Sequence, residues 1–260
     1  MHFSAMMALV PHGPDTFVGV GPEYPWGGLY GGQIVAQGLR AAGLTVEPAF
    51  RPHSLHAYFV RRGDATEPIR FEVDRVRNGR SFCTRTVSAR QSTGAILTMT
   101  ASFQVDEEQP DLQSATMPAV PGPDEVPSDS WSPAFDRRFI GDPDRDSGPV
   151  RAWLRVTDDL GDDPLVHACG IAYMSDDLPT DGPRSVHPDR RPGEHGTFMS
   201  ASLDHAVWFH RPARADVWHL EEVRSSGIAG GRGVALVEVF LADGTHAATV
   251  AQEVLIRARR

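Results

Sequence analysis

Leu55-His56-Ala57-Tyr58-Phe59-Val60-Arg61-Arg62 and Asp204-His205-Ala206-Val207-Trp208-Phe209-His210-Arg211 read as two versions of one phrase. His56-Ala57 and Arg62 recur as His205-Ala206 and Arg211 at a spacing of 149, and Gly94 to Ala101 recurs as Gly244 to Ala251 at a spacing of 150. Recurrence at a fixed period predicts a duplicated fold. In this register Leu55 aligns with Asp204 and Ser102 with Gln252, so the second copy carries a carboxylate and a carboxamide where the first is apolar or smaller. A functional site is therefore expected in the second copy.

Outward from the first phrase, Tyr24-Pro25-Trp26-Gly27-Gly28 predicts a turn. The run from Gln33 to Leu44 then sets Ile34, Val35, Gly38, Leu39 and Ala42 at helical spacing. Small residues at Gly31, Gly32, Ala36, Gly38, Ala41 and Ala42 let a sheet approach this helix closely, which predicts a mostly buried one. Strands are predicted over 54–60, 69–76, 81–90 and 96–105, with Asn78-Gly79 as a hairpin signal because both residues tolerate positive φ. The first half is thus one helix wrapped by an antiparallel sheet. Residues 107–150 turn to Pro, Asp, Ser and Gly without strand-like alternation and read as a surface linker, part of it docked by Trp131, Phe135, Phe139 and Ile140. This divides the chain into units 1–106 and 151–260.

The second half repeats the plan. Asp162-Asp163-Pro164 is a helix start signal, and Leu165 to Asp176 forms the helix, with Leu165, Cys169, Ala172 and Tyr173 on one stripe. Asp176 then lies at a helix C-terminus, where the macrodipole opposes a carboxylate. That misplacement points to function; otherwise Asp176-Asp177 simply begins a solvated loop. Strands are predicted over 199–209, 217–225, 233–241 and 247–256.

Composition removes several function classes. A chain of 260 residues with 40% hydrophobic content holds two well-buried cores, and 25 basic against 34 acidic residues leave a charge of -9, unfavourable for general binding to nucleic acid or anionic membranes. Cys83 and Cys169 fall in different halves and read as reduced packing residues, too few for a disulfide framework or a four-cysteine zinc site. No segment approaches ~18 uninterrupted apolar residues, and Met1 to Pro11 lacks the basic start and cleavage site of a signal peptide, so a cytoplasmic location is expected. His187 and His195 lack metal-ligand company, Ser81 lacks the second glycine of a nucleophile elbow, and Gly230-Gly231-Arg232-Gly233 reads as a hairpin loop.

Several motifs, in order, carry a family resemblance. Tyr30-Gly31-Gly32-Gln33 with Gln37, His53-Ser54-Leu55-His56-Ala57-Tyr58-Phe59 and Met99-Thr100-Ala101-Ser102-Phe103-Gln104 mark the first half. His167 with Ala172-Tyr173-Met174-Ser175-Asp176, Leu203 to Pro212, and Gln252-Glu253 mark the second. The chain resembles the acyl-CoA thioesterase II (TesB-like) family. The resemblance implies an α+β double hotdog, two tandem units each with a long helix wrapped by a curved antiparallel sheet. It further implies hydrolysis of fatty acyl-CoA to free acid and CoA without metal or organic cofactor, and homo-oligomerisation. It places a water-holding set on Asp176, Ser202 and Gln252, with Ser202 standing where a typical member has threonine.

The residue chemistry fits that assignment. Asp176 could accept a proton from water that Ser202 and Gln252 orient, and backbone N–H groups at a helix start suit an oxyanion. In paired hotdogs the start of the opposite helix, Gly31-Gly32-Gln33, is the oxyanion candidate; close helix–sheet packing is the other reading of these glycines. Because neighbouring strand residues face opposite ways, Asp204 and His205 cannot pair in one pocket. Asp204 is expected to share the face of Ser202 as a supporting carboxylate, with His56, His205 and His210 as hydrogen-bonded packing residues. Two other classes are carried: a hotdog enoyl-CoA hydratase, from Asp162-Asp163 with His167, and a non-catalytic acyl-CoA binder.

Overall fold

The computed structural model describes residues 1–143, 146, 148–191 and 197–258. In chain order the elements are α1 (Phe3–Met6), β1 (Val10–Pro11), β2 (Thr16–Gly19), α2 (Gly31–Gly43), β3 (Phe50–Phe59), β4 (Ile69–Asn78), β5 (Phe82–Gln91) and β6 (Gly94–Val105). They continue with β7 (Phe135–Ile140), β8 (Val150–Val156), α3 (Pro164–Met174), α4 (Asp181–Ser185), β9 (Phe198–Ser202), β10 (Asp204–Phe209), β11 (His219–Ala229), β12 (Arg232–Leu241) and β13 (His246–Ala258). One antiparallel sheet runs β1-β2-β4-β5-β6-β3-β10-β13-β12-β11-β8-β7, with β9 added on β13. The order reads the same from both ends, β3 and β10 meeting at the centre, so the halves are related by an approximate two-fold axis. This is a double hotdog, and α2 and α3 are the two helices that the sheet wraps.

The interval expected to be a linker contributes β7 and the first residue of β8, the counterparts of β1 and β2. β7 escaped the pattern because it is an edge strand. Asp136, Arg137 and Arg138 supply the charge that keeps an edge from pairing with another chain, and they erase the alternation by which a strand is recognised. The loop after α3 holds the short α4, with Gly182 against Val223 and Gly233 against Pro183. His195, read above as solvated, lies outside the described residues.

Backbone pairing also corrects the register of the repeat. Val60 and Arg61 both donate to the Ile96 carbonyl, and His210 and Arg211 both donate to the Ala247 carbonyl. The true spacing is therefore 150 between β3 and β10 and 151 between β6 and β13. Burial agrees, since Leu55 and Ala57 are buried as His205 and Val207 are, whereas His56 is exposed. A slip of one residue exchanges the faces of a strand, so the shared His-Ala dipeptide aligned residues that point in opposite directions. In the corrected register Leu55 and Ala101, opposite one another on β3 and β6, stand where the second half has His205 and Gln252.

Antiparallel contact between α2 and α3 brings the start of α2 to the end of α3. Gly43 meets Leu165 at one end, and Arg40 pairs with Asp163 at 2.9 Å. At the other end Gly32 lies against the Tyr173 carbonyl, so a β-carbon there would collide with backbone. Gly32→Ala is expected to cost about 1–3 kcal/mol of unfolding free energy through overpacking. Gly43→Ala should cost less, because the atoms it meets belong to the leucine side chain. Urea denaturation of the two variants tests that ranking.

Candidate active site

A repeated irregularity in the central strands creates the site. β13 pairs Val254 with Ser202 but Ala251 with Ala206, so four steps along one strand span three along the other, a bulge at Leu203. The first half has the same feature, with a register shift between Pro52 and Ser54. A bulge re-aims the side chains on its far side. Here it places Ser202 and His205, three residues apart, on one inward face. Asp204 does not share the face of Ser202 as expected: its Oδ1 accepts the Glu253 N–H at 2.6 Å, and it stands apart from the site.

Asp176 follows Ser175, which caps α3, and its carboxylate reaches across to the start of α2. A β-carbon on Gly31 would stand 2.6 Å from Asp176 Oδ2 and 2.9 Å from the Phe59 ring, so only glycine admits the carboxylate there. The macrodipole conflict read from sequence is thus resolved by tertiary structure. Asp176 sits past the negative end of its own helix but against the positive end of the other. Burial pushes its pKa up to about 7, opposed by hydrogen bonds from Ser202, the Gly32 N–H and Gln252, while the Asp177 charge pushes the same way as burial. A carboxylate balanced near neutrality suits a general base.

The remaining groups form a continuous chain. Ser202 Oγ donates to Asp176 Oδ1 at 3.1 Å, and Gln252 Nε2 donates to Ser202 Oγ at 2.7 Å. Gln252 Oε1 lies 2.5 Å from His205 Nδ1, and His205 Nε2 lies 3.0 Å from Ser175 Oγ. Gln252 and His205 are buried, and burial lowers the His205 pKa to about 4, so the ring is neutral. Asp176, Ser202 and Gln252, distant in sequence, are brought together by α3, β9 and β13.

Residues 22–104 match the family described as Acyl-CoA thioesterase N-terminal domain, and residues 110–256 match Acyl-CoA thioesterase C-terminal domain. This chain belongs to the acyl-CoA thioesterase family. It is 32% identical to human "Acyl-coenzyme A thioesterase 8" over 98% of this chain and 89% of that protein. To "Acyl-CoA thioesterase 2" of Haemophilus influenzae it is 32% identical, covering 88% and 87% respectively. Among solved structures, acyl-CoA thioesterase II TesB2 from Mycobacterium marinum superposes with a TM-score of 0.86 at 35% identity, covering 100% of this chain and 98% of that one.

Within this thioesterase-family chain the other singled-out residues have separate roles. The Gln33 side chain is buried in a structural network, where Tyr24 Oη donates to its Oε1 at 2.6 Å and its Nε2 donates to Gln37 Oε1 at 3.1 Å. Gln37 in turn donates to the Met6 and Val20 carbonyls, tying the N-terminal segment to α2. Of the hydratase-like trio, Asp162 is engaged by Arg214 and Asp163 caps α3 through the Leu165 N–H. His167 has one ring nitrogen on the Gly161 carbonyl and the other on the Ala215 N–H. His53 bonds Ser102, His56 packs on Trp208, and Cys83 and Cys169 are buried in separate halves. Among the described residues no helix is long and apolar enough to cross a membrane.

Sequence reading missed Asp177. It accepts from Trp131 Nε1 at 2.7 Å and from Arg137 at 2.8 Å, both supplied by the segment taken for a linker. Asp177→Asn should lower the pH at which Asp176 ionises, because it deletes a negative charge that raises that carboxyl. It should also cost about 3 kcal/mol of stability, since Arg137 loses its buried counter-charge. A pH–rate profile and a urea titration of one variant measure both.

Proposed function

We propose that this protein hydrolyses the thioester of fatty acyl-CoA to free fatty acid and CoA, using water activated by Asp176 and oriented by Ser202 and Gln252. The observation that carries this reading is the bonded chain Asp176–Ser202–Gln252 beside the start of α2. Asp176 takes a proton from water as the water oxygen bonds to the thioester carbonyl carbon. The carbonyl becomes an oxyanion, and collapse of the tetrahedral adduct breaks the carbon–sulfur bond. The proton held on Asp176 then passes to the departing thiolate, so acid and thiol leave and the carboxylate is restored.

The opening amides of α2 lack acceptors one turn back, which makes them candidate donors to the oxyanion. The Gly32 N–H already faces Asp176, so in this reading Gly31 and Gln33 supply the oxyanion bonds through their backbone. One such donor lowers the barrier by about 3–4 kcal/mol. The proposal extends to a cytoplasmic location and a homo-oligomeric state, tested by cell fractionation and by light scattering during size-exclusion chromatography.

Free thiol is followed during incubation with saturated acyl-CoAs of several lengths and with crotonyl-CoA, whose conjugated double bond is monitored separately. Thiol release from saturated substrates is the expected result. Loss of the double bond without thiol would make the protein a hydratase, and binding without either reaction a carrier.

A further inference from the structure

We infer that His205 is a positioning residue for the hydrolytic site, holding the Gln252 amide so that its N–H side faces Ser202 and Asp176. The inference rests on the proposed roles of Asp176, Ser202 and Gln252, and extends the site to a fully buried residue behind them.

An ionised carboxylate only accepts hydrogen bonds, so Asp176 fixes the direction of the whole chain. Ser202 must direct its proton to Asp176 Oδ1, and its oxygen then accepts from Gln252 Nε2. That leaves Gln252 Oε1 facing His205, and an amide oxygen needs a donor, so the proton of the neutral ring belongs on Nδ1. Nε2 becomes an acceptor and takes the Ser175 hydroxyl proton at 3.0 Å, in preference to the Ala172 carbonyl, which is 3.3 Å from the same hydroxyl. Each link runs from Ser175 through His205, Gln252 and Ser202 to Asp176. A carboxamide whose two ends have similar shape would otherwise turn over and present its oxygen to the carboxylate. The Nδ1–H of His205 is the group that opposes this flip.

Packing alone does not account for a histidine here. The approximate two-fold axis places Leu55 at the matching position of β3 and Ala101 at that of Gln252, and both are fully buried. In the first half, where no amide stands opposite, the sheet accepts leucine at this position. The bulge at Leu203 brings His205 to this face, and β3, which has the same bulge, makes no use of it.

The test is a double-mutant cycle with the best acyl-CoA substrate of the wild-type protein. His205→Leu, which copies the first half, is expected to lower kcat by about 10²-fold through misplacement of Gln252 while KM stays within about twofold. His205→Asn, whose amide N–H lies close to the Nδ1 position, should recover most of that loss. In a Gln252→Ala background His205→Leu should cost less than about threefold, because the group it positions is gone. Should His205→Leu fail to fold, Ser175→Ala carries the same expectation at a smaller size, about fivefold in kcat, again absent in the Gln252→Ala background. Equal losses in both backgrounds, or a His205→Asn no better than His205→Leu, would overturn the positioning role and leave the proposed reaction intact. Unchanged turnover in Gln252→Ala alone would overturn that residue's hydrolytic role and the positioning role together.

Discussion

Asp176→Asn is expected to lower kcat by about 10³-fold with acyl-CoA binding nearly intact, because asparagine keeps the shape and the bond to Ser202 but cannot take a proton from water. The same variant should be more stable than the parent at pH 8 and not at pH 4. Burial raises the Asp176 pKa to about 7 from the 3.8 of an ordinary aspartate, so between those limits the native state holds a proton that the unfolded chain has released. Stability of the parent therefore falls as pH rises from about 4 to about 7, then levels off, a total of about 4 kcal/mol for this one group. Asparagine removes the titration and with it the loss. Paired urea curves at the two pH values measure the difference, and parent kcat/KM should climb about tenfold per pH unit below 7 as the carboxylate ionises. A variant that keeps its turnover would remove Asp176 from the mechanism.

Gln252→Ala is the second large effect. Removal of one oriented donor should lower kcat by about 10²-fold, and loss of a hydrogen bond to the ionised carboxyl should move the acid limb of the pH–rate profile to higher pH. That direction is opposite to the one expected for Asp177→Asn, so the two variants bracket the parent. The truncation also strands the buried His205 Nδ1–H, at a cost of about 1–3 kcal/mol. A profile that shifts downward, or does not shift, would mean that the amide does not serve the carboxylate.

Much of the architecture was legible in residue order because it follows from local periodicity. The helices at Gly31–Gly43 and Pro164–Met174 begin and end within two residues of the predicted bounds, and the eight strands read from alternation are present, the one over 199–209 being divided at Leu203. The failures share a cause: they depend on partners that periodicity does not reveal. β7 was lost because Asp136, Arg137 and Arg138 protect an edge, which is a property of its neighbours. The repeat register was off by one because identity of His56-Ala57 with His205-Ala206 outweighed the face each residue presents. Strict alternation puts Asp204 on the face of Ser202, but alternation holds only in an unbulged strand, and the strand is bulged at Leu203.

Residue order therefore determined that the chain holds two like modules and where their helices and most strands lie, and the family resemblance it carries pointed to Asp176, Ser202 and Gln252 in the second. Only the tertiary structure decided what those groups do to one another. Antiparallel contact of the two helices placed Asp176 against the opposite helix start, where burial and local donors bring its proton affinity to neutrality. One extra residue at Leu203 turned His205 inward and Asp204 away. Electrostatic environment and strand face arise from packing between distant segments, and no local pattern encodes them.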